Sequence, residues 1–187
     1  MRISGGGARG ITLSVPRGAA VRPATDGMRQ AVFSSLGERV VDARFLDLFA
    51  GSGAYGLEAV SRGATSGTFV EYNAKAAACV RQNIVAVCKS LGRPCEGLTV
   101  VQSDALTISS ERLLEPDLIF IDPPYEIIQD VADRVFERVT ALVAAKPDPI
   151  VIFEMPGEIE LSPCGWQQVK RLGKGARQPT VAFFRRD

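Results

Sequence analysis

Four consecutive residues, Asp122-Pro123-Pro124-Tyr125, follow the apolar run DLIFI and combine a carboxylate, two prolines and an aromatic ring. Two prolines fix the chain direction and remove two backbone N–H donors. What remains to face a ligand is the Asp122 carboxylate and the carbonyls between the prolines. Such acceptors suit the exocyclic amine of a nucleobase, a poor nucleophile because its lone pair is delocalised into the ring. Gripping its two hydrogens would hold the nitrogen in line with an electrophile and favour pyramidalisation. Tyr125 adds a flat face on which an extruded base can stack. The same Asp-Pro-Pro could simply start a helix, with Asp as cap and proline in the first turn. The aromatic that follows, and a glycine-rich turn about seventy residues earlier, favour the catalytic reading.

That earlier turn, Gly51-Ser52-Gly53-Ala54-Tyr55-Gly56, has the form GxGxxG after one apolar run and before a helical one. It fits NAD, FAD or S-adenosylmethionine, and small residues at a tight turn also occur with no ligand at all. Glu71 stands twenty residues beyond Gly51, where a carboxylate can accept from ribose hydroxyls, and this too fits all three cofactors. Asp47, four residues before Gly51, helps to separate them, unless it is an ordinary strand-end carboxylate. A carboxylate there would repel the pyrophosphate of a dinucleotide but attract the cationic amino group and sulfonium of S-adenosylmethionine. Asp104, followed by Ala105, adds a carboxylate suited to the amine of adenine. The expected cofactor lining is Asp47, Phe49, Gly51, Ser52, Gly53, Gly56, Glu71, Tyr72, Asp104 and Ala105. No metal is expected.

Positioning these groups requires a scaffold. Arg44–Phe49, Thr68–Tyr72, Leu98–Gln102, Asp117–Ile121 and Ile150–Phe153 read as strands. Ala54–Arg62, Ala74–Leu91 and Glu126–Ala145 read as helices between them, with Gly63 and Gly92 as stops. Gln167–Leu172 and Thr180–Phe184 read as a β-hairpin. Strands alternating with helices predict a doubly wound, mostly parallel α/β sheet of seven strands covered on both faces. In such sheets ligands lie beyond the carboxyl ends of the strands, at the switch point of the strand order. The Gly51 turn, Glu71, Asp104 and Asp122 all fall at strand ends, so one pocket is expected. Residues 1–36 read as an N-terminal extension, a basic strand pair followed by a helix over Asp26–Leu36, and residues 37–187 as the main domain.

Composition narrows the chemistry. There is no histidine, which excludes Ser-His-Asp and Cys-His hydrolases, His-ligated zinc and His general bases. With 46% hydrophobic and 23% charged residues the chain is neither disordered nor coiled coil as a whole. No stretch of eighteen apolar residues occurs, and the Gly-rich start lacks the apolar core of a secretory signal, so no membrane association is expected. Cys79, Cys88, Cys95 and Cys164 form no CxxC pair and read as reduced thiols of a cytoplasmic protein. The net charge of +1 hides an asymmetry: residues 1–30 carry +4, residues 166–187 carry +5, and the middle carries −8. Basic ends around an acidic centre suggest a polyanion held by the ends and another ligand held by the centre, the alternative being solvated charge at mobile termini.

Together these residues resemble a family. DLFAGSG, an acidic end to the second strand and DPPY resemble class I S-adenosylmethionine-dependent amino-methyltransferases. Arg2-Ile-Ser-Gly-Gly with Arg9-Gly10, then Arg22-Pro23-Ala-Thr25-Asp26 with Arg29 and Phe33, then LDLFAGSGAYGLEAVSRG, resemble the RsmD family of bacterial 16S rRNA guanine-N2 methyltransferases, nearly end to end. The resemblance implies a Rossmann-like fold, S-adenosylmethionine as cofactor and methylation of one guanine of small-subunit rRNA. It implies catalysis at Asp122, Pro123, Pro124 and Tyr125, and RNA contacts from Arg2, Arg9, Arg22, Arg29 and Lys174. A monomer acting on 16S rRNA or the small subunit is expected. Two other readings stay open: a DNA methyltransferase acting on adenine N6 or cytosine N4, and a non-catalytic RNA- or nucleotide-binding module.

Overall fold

The apolar runs assemble into one seven-stranded sheet in the computed structural model, which describes residues 1–16, 26–109, 113, 115–176 and 178–187. In chain order the strands are β1 (Arg44–Leu48), β2 (Ser66–Glu71), β3 (Leu98–Gln102), β4 (Leu118–Ile121), β5 (Ile150–Pro156), β6 (Trp166–Leu172) and β7 (Pro179–Arg186). The helices are α1 (Asp26–Leu36), α2 (Ala54–Ser61), α3 (Ala74–Leu91) and α4 (Ile128–Leu142). The spatial order is β3-β2-β1-β4-β5-β7-β6. The first five strands pair in parallel and β7 runs antiparallel between β5 and β6. Chain order reverses between β1 and β4, which lie side by side with Leu48 opposite Ile121. That is the switch point where open α/β sheets bind ligands.

Local chemistry sets the boundaries. Every residue of β4 and β5 is buried, as befits strands covered on both faces. Asn73 caps α3, its side chain accepting from the N–H groups of Lys75 and Ala76, and Gly92 closes it in the left-handed conformation. β1 stops at Leu48, one residue short of the sequence reading, because Phe49 adopts φ of 61°, a conformation no ladder accommodates. The helix expected from Glu126 begins instead as a 3-10 turn over Tyr125–Ile127, with α4 following from Ile128. Pro124 enters that turn with extended ψ of 134°, so the chain must tighten before α4 is established. The hairpin is longer than expected at both strands and carries a bulge between Gln168 and Lys170.

The N-terminal pairing is slighter than a full strand pair, an isolated antiparallel bridge between Arg2 and Thr12. Ile3 donates its N–H to Ile11 and Leu13 to Met1, both at 3.0 Å. Ile3, Ala8 and Leu13 are nonetheless fully buried, in the same apolar cluster as Phe33 of α1, Leu57 of α2 and Phe45 of β1. The other face of the sheet carries a second cluster, in which α4 sets Val131, Val135 and Phe136 against Phe153 and Phe184.

Candidate active site

A cavity of about 1070 Å³ opens beyond the carboxyl ends of β1, β2, β3 and β4. Asp47, Phe49, Gly51 and Ser52 line it from β1 and its turn, Glu71 and Tyr72 from β2, and Asp104 and Ala105 from the segment after β3. Asp122, Pro123, Pro124 and Tyr125 close it from β4. Parallel pairing is what brings these distant residues together: Asp47 sits opposite Phe69 on one side and Phe120 on the other. Among the described residues the acidic and basic side chains lining it are Asp47, Glu71, Asp104, Asp122 and Glu126 against one base, Lys75. Such a wall rejects phosphates and accepts a cation.

Glu71 builds the turn as well as the wall. One carboxylate oxygen accepts from the N–H of Gly51 and the other from the N–H of Asn73, each at 2.8 Å. Asp47 accepts from the N–H of Gly56 at 3.0 Å, tying the start of α2 back to β1. Asp104 accepts from the N–H of Leu106 at 2.8 Å. Each carboxylate is thus oriented by backbone donors before any ligand arrives, which is the preorganisation a binding site needs.

Asp47 and Glu154 are buried, and Asp122 is half-buried at the cavity wall. Burial, offset in part by the Gly56 N–H, pushes Asp47 up to about 8. Burial raises Asp122 well above the usual carboxylate range, and the neighbouring Glu154 and Asp47 reinforce the shift. Glu154, on β5, is only 1% exposed, and burial pushes it up to about 7. Its partners are the Tyr55 hydroxyl at 2.7 Å and the Tyr125 hydroxyl at 3.5 Å. Burial thus works against the charged form of each of these acids, and a bound cation would favour it. The donor set fits S-adenosylmethionine in that respect: carboxyls for a cationic amino group and sulfonium, and Glu71 for ribose hydroxyls.

Two predicted cofactor glycines lie elsewhere. Neither Gly53 nor Gly56 lines the cavity. A Cβ on Gly56 would come within 2.4 Å of Phe69 and 2.5 Å of Phe45, so this glycine lets α2 lie flat on the sheet. Gly53 takes φ of 78° at the start of α2, against Val80, Leu57 and Phe69.

The predicted RNA contacts separate further. Arg29 is a correction: it is completely buried, donating to Asp26 at 2.7 Å and to the Arg2 carbonyl at 2.5 Å, with Glu58 3.8 Å away. Its guanidinium offsets buried carboxylates and cannot reach a phosphate. Arg22 lies outside the described residues. Arg2, Arg9 and Lys174 are exposed. Much of the C-terminal positive charge is occupied within the fold. Arg171 donates to the carbonyls of Pro156, Gly157 and Ile159, Arg185 pairs with Asp148 at 2.6 Å, and Arg186 donates to Val143 and Ala144.

Sequence reasoning missed Glu154. The signal was available, since an acid closes the apolar run Ile150–Phe153 just as Glu71 closes β2 and Asp122 follows β4. It also missed the N-terminal segment as cavity wall: Met1 and Pro16 line the opening, and Ser52 Oγ lies 3.4 Å from Met1 Sδ.

Known proteins resemble this chain in sequence and in fold. The Escherichia coli K12 protein named ribosomal RNA small subunit methyltransferase D is 37% identical over 125 residues, 67% of this chain but 60% of its own length. The Haemophilus influenzae protein of the same name is 28% identical over 178 residues, 94% of this chain and 89% of that one. The solved structure of the Escherichia coli protein yhhF superposes with a TM-score of 0.77 at 26% identity, covering all of this chain and 98% of the other. Residues 1–184 match the family model described as Conserved hypothetical protein 95. The chain therefore belongs to that family, the RsmD family that its motifs resemble.

Proposed function

We propose that this chain transfers a methyl group from S-adenosylmethionine to the exocyclic N2 of a guanine in 16S rRNA of the small ribosomal subunit. The observation that carries the reading is the meeting of Asp122-Pro123-Pro124-Tyr125 with the Gly51–Glu71 turn on one carboxylate-lined cavity. Relatives named ribosomal RNA small subunit methyltransferase D support the substrate class. A bacterial cytoplasmic location, and 16S rRNA or the small subunit as partner, go with it.

When bound, S-adenosylmethionine supplies an electrophilic methyl whose bond to sulfur breaks as the amine nitrogen takes the carbon. The chain's own residues do the rest. Glu71, Asp104 and Tyr72 would hold and border the nucleoside part, and Asp47 would meet its positive charge. Asp122 and the Pro123 carbonyl accept the two amine hydrogens, so the nitrogen lone pair points into the cavity. Amine hydrogens and a nearby cation both favour the ionised carboxylate, so ligands act against the upward shift that burial gives Asp122. It, or water, takes the proton that the nitrogen sheds once methylated. The Tyr125 ring supports the extruded base.

Residues 1–36 act in this reading as the RNA-contacting extension. Arg2 and Arg9, with Lys174 in the β6–β7 turn, supply exposed charge for phosphates, so affinity for rRNA should fall steeply as salt rises. Tritiated-methyl transfer onto purified 30S subunits, naked 16S rRNA and DNA tests the proposal. Label in rRNA guanine supports it. Label in DNA would move the chain to the DNA methyltransferases, and no transfer to any of the three would leave a binding module.

A further inference from the structure

Behind the cavity wall lies a group that the mechanism above does not use. Glu154 sits near the end of β5 with its side chain buried, and the rings whose hydroxyls it meets both line the cavity. Tyr55 comes from the first turn of α2, directly after the glycine-rich turn, and its ring stacks on Phe120 of β4 with centroids 5.4 Å apart and planes 14° apart. Tyr125 comes from the 3-10 turn after the two prolines. Tyr55 is therefore held on two sides, by the Phe120 ring and by Glu154 at 2.7 Å. Tyr125 meets the same carboxyl at the longer distance of 3.5 Å and is half-buried.

We propose that Glu154 is a positioning residue: anchored by Tyr55, it tethers the Tyr125 hydroxyl from behind and so sets the angle of the ring on which the substrate base rests. The β5 carboxylate then links the two motifs of the site, the glycine-rich turn through Tyr55 and the proline turn through Tyr125. A ring tethered at its hydroxyl presents one face to the base, and losing the tether removes one of the restraints on its rotamer. This makes the hydroxyl of Tyr125 matter as well as its face.

The tether depends on the charge of Glu154, because a carboxylate accepts from both hydroxyls and a protonated carboxyl has less to offer. The groups acting on it come from four elements. Tyr55 on α2 and Tyr125 on the 3-10 turn donate to it, Arg29 on α1 favours its ionised form, and Asp122 after β4 is coupled to it. Asp47 on β1 adds to the negative charge beside Asp122. Burial shifts Glu154 up to about 7, so the tether weakens as pH falls through that value.

Two measurements test this, and the first does not depend on the chain being a methyltransferase. Carbon-13 NMR of the labelled Glu154 carboxyl in the whole chain should show a titration midpoint near 7. Tyr125→Phe should raise that midpoint by removing a donor, and Tyr55→Phe should raise it further. A midpoint indifferent to Tyr125→Phe overturns the tether, whatever the reaction turns out to be. The second measurement rests on the proposed methyl transfer. Glu154→Gln and Tyr125→Phe should each lower kcat by about ten- to a hundredfold, the scale of a misplaced reactant, with KM for S-adenosylmethionine unchanged. The double variant should be no slower than the worse single one. Additive losses overturn the positioning role. Absence of transfer by the unaltered chain would sink the proposed function and leave the NMR result standing.

Discussion

Asp117 and Asp122 flank the same four-residue strand, β4, and their surroundings pull them in opposite directions. At the amino end, Asp117 accepts from Lys146 Nζ at 2.6 Å and from the Arg44 N–H at 2.8 Å, and these partners hold it below the usual carboxylate range despite partial burial. At the carboxyl end, Asp122 has acids for neighbours and is driven up. The contrast extends to both rims of the sheet. Asp148 at the amino end is bracketed by Arg39 and Arg185 and is held low. Asp47 and Glu154 at the carboxyl end are pushed up to about 8 and about 7. One rim pairs its acids with cations, and the other crowds its acids together out of water. Acids perturbed in this way and gathered in a cavity are a physical mark of a candidate working site.

Substitutions can break that contrast, and the largest effect is expected at Asp122. Asp122→Ala should slow single-turnover methyl transfer by about 10²–10³-fold while S-adenosylmethionine binding by calorimetry stays nearly unchanged, because the loss is felt mainly in the transition state. Asp122→Asn keeps an acceptor oxygen and should be faster than alanine. Near-normal turnover in Asp122→Ala would mean that the carboxyl rim is acidic for some other reason. Glu71→Ala should cost about 1–3 kcal/mol of S-adenosylmethionine affinity, through lost ribose bonds and a loosened Gly51 turn. Unaltered affinity would remove Glu71 from the site.

The amino rim should answer in stability instead. Asp117→Ala leaves the Arg44 N–H and Lys146 without this partner and should lower the urea-unfolding free energy by about 1–2 kcal/mol with turnover intact. A drop in turnover as large as that of Asp122→Ala would erase the distinction between the rims.

The smallest effect is a slope with pH. Acids whose folded-state values lie above their unfolded ones contribute stability below the unfolded value. That contribution is lost as pH rises through about 7 for Glu154 and about 8 for Asp47. Asp117 and Asp148 are held low, so their contribution is present above the unfolded carboxylate value and is lost as pH falls through their folded values. Unfolding free energy measured between pH 5 and pH 8.5 should therefore decline toward the alkaline end. Asp122→Asn should flatten the decline, and an identical slope in that variant would show that Asp122 is not part of the strained set.

Much of this was legible in the residues alone, because the signals were local. DLIFI followed by two prolines specifies a buried strand with an abrupt end, and an acid after each of several apolar runs specifies carboxylates at one rim. Glu71, Asp104 and Asp122 line the cavity as that reading expects. Gly56 was misread because GxGxxG assigns each glycine a place without saying which face it meets. Here the third one meets Phe45 and Phe69. Arg29 was misread because an arginine in a basic segment looks solvated, and nothing in its neighbours signals the distant Glu58.

By itself the sequence determined which strands and turns exist and which chemical groups stand at their ends, since strand length, proline stops and caps depend on residues a few positions apart. Only the tertiary structure decided which of those groups stay in water and which are buried beside other acids. Asp47, Asp122 and Glu154 are separated by up to 107 residues, yet they influence one another because β1, β4 and β5 are neighbours in the sheet. Burial and Coulomb coupling act through space, so the acidity of a carboxyl is a property of the assembled sheet and not of its own segment.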